Sequence, residues 1–300
     1  MDRQHLMEVF VAVAETESFS GAARRLNLSA ASVTRAIATL ETNLQVKLLN
    51  RTTRSVRVTD AGHIYLAAVR RILDDIYAVN ETLAGARTKP SGKLSVTAPV
   101  EFGKMFINPV IVEYLKLYSE MEVSALFLDR VVNLQEEGVD VGIRIGELPD
   151  SNVKAALVGE VRKVVCASTE YLANHGEPKK PADLAQHLIV SSNSVTPTVD
   201  WKFRQDSGLT SVRVNPRLSV SSVESAIGAV SSGFGITRLL SYQVAPYIAS
   251  GKIKYLLTEY EPLPLPIHVL HLEGRYASAK VRTFVDLAVA KLRTSSLYLF

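Results

Sequence analysis

Ser18-Phe19-Ser20-Gly21-Ala22-Ala23-Arg24-Arg25-Leu26-Asn27-Leu28-Ser29 opens a stretch, running on to Thr59, in which seven basic side chains accompany a single acid, Glu41. The pattern predicts helix, tight turn, helix and basic hairpin, the layout of a winged helix-turn-helix. Ahead of it Leu6, Val9, Phe10, Val13 and Ala14 recur at helical spacing, an amphipathic first helix. Ser20 stands where an N-cap is needed, Ala22, Ala23 and Leu26 give a short second helix, and Asn27 can take the left-handed conformation that ends it. Ser29 caps a third helix whose buried stripe is Val33, Ile37 and Leu40. The opposite face turns Ser32, Thr34, Arg35 and Thr39 outward, mostly small side chains that suit a helix lying in a groove about 12 Å wide. Arg35 can bond a guanine edge with its planar fork.

After Leu49 the run Asn50 to Thr59 alternates Val56 and Val58 with Ser55 and Arg57, a strand with one apolar face. Arg51, Arg54 and Arg57 are then placed to track phosphates of double-stranded DNA. The plainer reading of the same arginines is a solvated charge run on a three-helix core.

These residues resemble the N-terminal signature of the LysR-type transcriptional regulators. The match runs through the segment quoted above, Val33-Thr34-Arg35-Ala36-Ile37 with Leu40-Glu41, Leu48-Leu49-Asn50-Arg51-Thr52-Thr53-Arg54, and Thr59-Asp60-Ala61-Gly62. Two departures stand out. Ala30-Ala31 replaces a frequent Gln-Pro, which removes a common polar groove contact, and Gln45 replaces a usual Gly. The resemblance implies a transcription regulator with an N-terminal winged helix-turn-helix, a long linker helix and a C-terminal two-lobed α/β effector domain similar to type 2 periplasmic binding proteins. It covers nearly the whole chain.

Composition is compatible with this. The 300 residues suggest two domains, 47% apolar content is that of a globular protein, and the formal net charge of +4 suits an anionic partner. Residues 1 to 89 hold 12 basic and 9 acidic side chains, against 22 and 21 in the remainder. No apolar stretch approaches the ~20 residues of a membrane span, and Met1-Asp2 leads into a helix without a cationic and apolar leader, so a cytoplasmic protein without membrane contact is expected. The lone Cys166 lies in an apolar strand, where it reads as a packed small side chain.

Thr59 caps a long helix running to about Arg87, where Thr88-Lys89-Pro90-Ser91-Gly92 breaks it. Leu66, Val69, Leu73, Ile76, Asn80 and Leu83 follow a 3, 4, 3, 4, 3 spacing, a coiled-coil seam that predicts a homodimer or homotetramer. At 1.5 Å per residue the helix is ~40 Å long, enough to separate two reading heads by one turn of DNA. The same stripe also suits a helix laid against its own effector domain. The expected domains are 1–62, the DNA-binding head; 60–89, the linker helix; and 93–300, the effector domain.

From Lys93 strands and helices alternate, predicting an α/β domain with mainly parallel sheets. The resemblance divides it into lobe I, 93–162 and 266–300, and lobe II, 163–265, with crossings near Val161 to Lys163 and Leu265 to His268. It places an effector cleft at Thr97 to Phe102, including Pro99 and Val100; Asp129 to Val132; Ser191 to Ser194, including Asn193; and Ser221 with Ser222. Hydroxyls and the helix N-termini after Val100 and Ser221 would favour a small organic anion. Singly, each serine also reads as a cap or loop residue.

An enzyme is the rival class. The chain has no G-x-S-x-G elbow, and Gly233-Phe234-Gly235-Ile236-Thr237-Arg238 lacks the third glycine of a dinucleotide fingerprint. His268 and His271 lie three apart in a predicted strand, hence on opposite faces, and the other histidines are scattered, so neither catalysis, a cofactor nor a metal site is expected. A ligand-independent architectural DNA binder is the third reading.

Overall fold

The computed structural model describes residues 2–51, 56–83, 89–148, 153–192, 199–205, 208–272 and 277–294. The N-terminal head packs α1 (Arg3–Thr16), α2 (Phe19–Arg25) and α3 (Ala30–Leu44) against a two-stranded wing, β1 (Leu49–Arg51) and β2 (Val56–Val58). Its core joins Leu6, Val9, Phe10 and Val13 of α1 to Ala22, Val33, Ile37, Leu40 and Leu48, which is the stripe that the helical phases mark. Two caps lie where the sequence puts them: Asn27 is left-handed at φ 52°, and Ser29 Oγ accepts from the Ser32 amide at 3.1 Å. The cap of α2 is not Ser20 but Ser18, whose hydroxyl accepts from the Gly21 amide at 3.1 Å. Helix α2 begins two residues earlier than the apolar spacing suggests, because Phe19 packs against the core and draws the helix start with it.

Glu41 joins the recognition helix to the wing. Its buried carboxylate accepts from the Leu48 amide at 3.0 Å, the Leu49 amide at 3.2 Å and Lys47 Nζ at 2.8 Å. Burial raises its pKa, but Lys47 and the two amides outweigh that and hold the group below the ordinary carboxylate value. At the other end of the wing Thr59 caps α4 (Asp60–Leu83), accepting from the Gly62 amide at 2.9 Å and donating to the Lys47 carbonyl at 2.8 Å. Gly62 is required by close approach: a Cβ there would stand 2.2 Å from the Leu48 carbonyl oxygen.

The seam of α4 meets a different partner from the one that its spacing suggests. Val69 and Leu73 are buried against Met7 and Val11 of α1 in the same chain, and Leu66 packs on the head core. Ile76 is half-buried, while the side chains of Asn80 and Leu83 lie outside the described residues. Glu15 of α1 fastens the junction, pairing with Arg25 at 2.6 Å and Arg70 of α4 at 2.8 Å. Among the described residues of α4, the large apolar side chains exposed to solvent are Ile64 and Ile72, 76% and 41% accessible.

The C-terminal part runs β3 (Gly92–Ala98), α5 (Val100–Phe102), a wide turn at Gly103–Ile107, α6 (Asn108–Leu117), β4 (Met121–Phe127), β5 (Val141–Ile145) and β6 (Lys154–Val161). It continues with β7 (Lys163–Ser168), α7 (Thr169–His175), β8 (Ile189–Ser192), β9 (Asp200–Gln205), β10 (Gly208–Arg213), β11 (Pro216–Val220) and α8 (Val223–Ser231). Then follow β12 (Ile236–Leu240), α9 (Ser241–Ala249), β13 (Ile253–Leu256), β14 (Leu265–His271) and α10 (Ala279–Thr294). Lobe I has strand order β4-β3-β5-β14-β6 and lobe II has β11-β8-β12-β7-β13, while β9 and β10 form a separate hairpin on lobe II.

These sheets are mixed rather than mainly parallel. β3 is parallel to β4 and β5, and β8 to β11 and β12, but β14 is antiparallel to β5 and β6, and β7 to β12 and β13. The strands on either side of a crossing, β7 and β14, arrive from the other lobe and therefore enter against the local direction. Among the described residues no helix is long and apolar enough to cross a membrane.

Replacing Glu41 by Gln, which keeps the shape but removes the charge, should cost about 1.5–3 kcal/mol of head stability in denaturant unfolding. Because the folded pKa is depressed, the contribution of Glu41 is present above its unfolded value near 4.5 and fades as pH falls through the folded one. Wild type and E41Q should therefore converge in acid, and a constant difference across that range would contradict the assignment.

Candidate DNA interface and inter-lobe cavity

On α3 the exposed face is prepared by bonds within the helix. The Thr34 hydroxyl donates to the Ala30 carbonyl and that of Thr39 to the Arg35 carbonyl, both at 2.9 Å, while the Ser29 and Ser32 hydroxyls lie 2.8 Å apart at the cap. The two threonine hydroxyls thus have their protons committed and keep acceptor lone pairs, while one of the two serine hydroxyls keeps a free proton. Arg35 is exposed and makes no ion pair with the described residues, so its fork is available to a base edge or phosphate. Arg57 is exposed on β2 between half-buried Val56 and Val58, as the alternation predicts. The Arg51 side chain and all of Arg54 lie outside the described residues.

Between the lobes lies a cavity of about 320 Å³. Lobe I contributes Thr97, Pro99, Asp129, Arg144 and Glu147, and lobe II contributes Lys163, Leu240, Tyr242 and Gln243. Thr97 donates its hydroxyl to the Leu126 carbonyl at 2.8 Å, and Asp129 Oδ1 accepts from the Val100 amide at 3.0 Å. The helix N-terminus at Val100 is therefore already occupied by a carboxylate of the protein. Ser222 is likewise engaged, accepting from the Ser225 amide at 3.1 Å to cap α8 and donating to the Ser225 hydroxyl at 2.8 Å.

Several expected contacts thus stand elsewhere. Val100, Ser191, Ser221 and Ser222 do not line the cavity, Asn193 and Ser194 lie outside the described residues, and Phe102 is fully buried in an aromatic contact. Phe102 meets Tyr242 of lobe II edge-on with ring centroids 5.4 Å apart, and Phe106 meets it at 5.7 Å. Apolar rings close that side, where the hydroxyl-rich segments were expected to open it, and Lys104 reaches Glu224 across the same gap at 3.9 Å. The lobe II wall was missed because Lys163 and Leu240 are brought opposite each other by the antiparallel register of β7 and β12. The one local signal was a cation heading the apolar run Val164 to Ala167.

Arg162, the residue between β6 and β7, fastens the crossings together. Its guanidinium pairs with Glu261 of the returning segment at 3.1 Å and lies over the Tyr255 ring, 5.0 Å from its centroid. Its amide donates to Ser241 Oγ at 3.3 Å, and its carbonyl accepts from the Ser241 amide at 2.9 Å. Burial outweighs the arginine and leaves the Glu261 pKa above the ordinary value.

A helix-turn-helix head bearing outward cations, joined by a long helix to two lobes around a cavity, defines a DNA-binding regulator with a ligand-sensing domain. Residues 4–63 match the bacterial regulatory helix-turn-helix family of LysR type, and residues 87–293 match the LysR substrate-binding domain. The chain belongs to the LysR-type transcriptional regulators. It is 33% identical over 288 residues to the Escherichia coli K12 transcriptional activator AaeR, covering 95% of this chain and 93% of that one. Among solved structures it superposes on CrgA, a LysR-type regulator from Neisseria meningitidis, with a TM-score of 0.62 at 31% identity over 97% and 99% of the chains. A full-length OxyR variant from Pseudomonas aeruginosa gives a TM-score of 0.72 at 14% identity, covering 100% and 97%, and shares the fold alone.

Arg162→Ala should lower effector-domain stability by roughly 1–3 kcal/mol. Since the Glu261 pKa is raised, the loss should grow as pH rises through that raised folded value, where Glu261 ionises and is left without its partner. Chemical unfolding at mild acid and neutral pH checks this, and an equal loss at both would speak against the pair.

Proposed function

We propose that this regulator binds operator DNA as a homodimer or homotetramer, acts in the cytoplasm without catalytic turnover, and responds to a small organic anion held between its lobes. Domain limits of 1–62, 60–89 and 93–300 fit this division of labour. The observation that carries the DNA reading is the head itself: an exposed Arg35, without an ion pair to the described residues, on a helix whose distance from the wing is fixed by Glu41. Arg35 reads a base edge, with Ser29, Ser32, Thr34 and Thr39 beside it, and Arg57, joined by Arg51 and Arg54, holds phosphates.

For assembly, Ile64 and Ile72 of α4 replace the buried part of the predicted seam, because they stand one helical face away from Val69 and Leu73 and remain accessible. Ile76, Asn80 and Leu83 would extend that contact. For the effector, the cavity lining of Thr97, Pro99 and Asp129 against Lys163, Tyr242 and Gln243 supports a ligand small enough for about 320 Å³.

Arg35→Ala should cost ~1–3 kcal/mol of specific binding while leaving non-specific binding nearly intact, whereas Arg57→Ala should weaken all sequences alike and reduce the salt slope by about one unit. Titrations of operator and random duplex across a salt series separate the two. Identical profiles for both variants would undo the division of roles.

Charged substitutions Ile64→Glu and Ile72→Glu together should shift the protein toward monomer in analytical ultracentrifugation and weaken binding to full operators more than to half-sites. An unchanged sedimentation coefficient would move the interface off this face.

A further inference from the structure

We infer that Lys163 is the charge anchor of the inter-lobe cavity and selects a carboxylate-class anion. This deepens the reading of the cavity as an effector site and rests on it. Lys163 is half-buried, lines the cavity, and makes neither a hydrogen bond nor an ion pair with the described residues. Several other cations of this domain pair with acids, among them Arg162 with Glu261, Arg130 with Glu137 at 2.6 Å, and Lys280 with Asp140 at 3.9 Å. An ammonium partly withdrawn from water and left without a counter-ion is destabilising, so an apolar side chain would serve a merely structural position better.

The surroundings make the lysine more demanding still. Burial, then Arg238 and Lys202, push its pKa down; each of these neighbours is itself positive. Arg238 lies on the adjoining strand with its guanidinium 4.9 Å from the centroid of the Trp201 ring and is likewise depressed, to about 10, by burial. Among the described residues no acid belongs to the lobe II wall. The acids of the cavity, Asp129 and Glu147, are on lobe I, where Asp129 is bonded to the Val100 amide and Glu147 shares its wall with Arg144. Gln243 lines the same lobe II wall; its Oε1 accepts from the Leu240 amide at 2.9 Å and its Nε2 donates to the Tyr242 hydroxyl at 3.3 Å. That amide keeps one N–H for a ligand oxygen. An anion seated here would meet the Lys163 ammonium and this N–H together, one residue from the Arg162 clasp that fixes the crossings.

The test uses the full-length protein with acetate, benzoate and succinate as probes, benzamide as a neutral counterpart, and the variants Lys163→Met and Lys163→Arg. Without probe, K163M should melt at a higher temperature than wild type, because an unpaired charge has been removed. At least one carboxylate should raise the wild-type melting temperature and bind by calorimetry. Its affinity should fall roughly 10- to 100-fold in K163M and stay within a few-fold in K163R, as expected for loss of a charge-assisted bond. Carboxylate binding indifferent to K163M, or a lower melting temperature for that variant, would overturn the anchor while leaving the effector site standing. Failure of every probe to bind a wild type that still holds operator DNA would overturn both.

Discussion

A carboxylate taken out of water persists only where fixed donors replace its hydration, and this constraint governs each junction of the chain. Glu41 ties the recognition helix to the wing through two amides and a lysine; Glu15 ties α1 to α2 and α4 through two arginines. Asp129 holds the start of α5, Asp140 accepts from the Ser95 amide of β3 at 2.7 Å, and Glu261 holds Arg162 where the chain passes between lobes. Each group is acceptor-only when ionised, so each arrangement tolerates little displacement before a buried charge loses a partner. Apolar packing gives the domains their bulk, but these five acids set how one element is placed against the next.

The same logic gives the unpaired cations their meaning. Several structural charges of this chain are met by an opposite one, as Glu15, Glu41 and Arg162 are. Arg35 on the head and Lys163 in the inter-lobe cavity make no ion pair with the described residues. Arg35 is exposed, so water meets its needs when DNA is absent. Lys163 is not so favoured, and positive neighbours add to its burden.

Much of the head was legible from periodicity, because a three-helix core of this size has one solution for Leu6, Val9, Phe10 and Val13 once Val33, Ile37 and Leu40 are on the facing helix. Caps were legible for Ser29 and Thr59, where one hydroxyl precedes a clear apolar phase, and not for Ser18, where Ser20 competes two residues away. Spacing in α4 marked Val69 and Leu73 for burial but suggested a partner helix or the effector domain as their cover, where Met7 and Val11 of α1 in the same chain supply it. The cavity was half legible. Its lobe I wall follows a local strand end at Thr97 to Pro99, but its lobe II wall depends on the register of β7 with β12, a long-range pairing with no local signature.

The clasp of Glu15 on Arg25 and Arg70 has a mechanical consequence. It makes the head and the first half of α4 one rigid body, so a tilt imposed at the far end of the helix is not absorbed at the joint. Over 24 residues, about 36 Å at 1.5 Å each, a tilt of roughly 5° displaces the tip by about 3 Å, close to the rise of a single base pair. A lever of that stiffness would carry a small angular change at its far end to the reading head as a displacement of about one base-pair step.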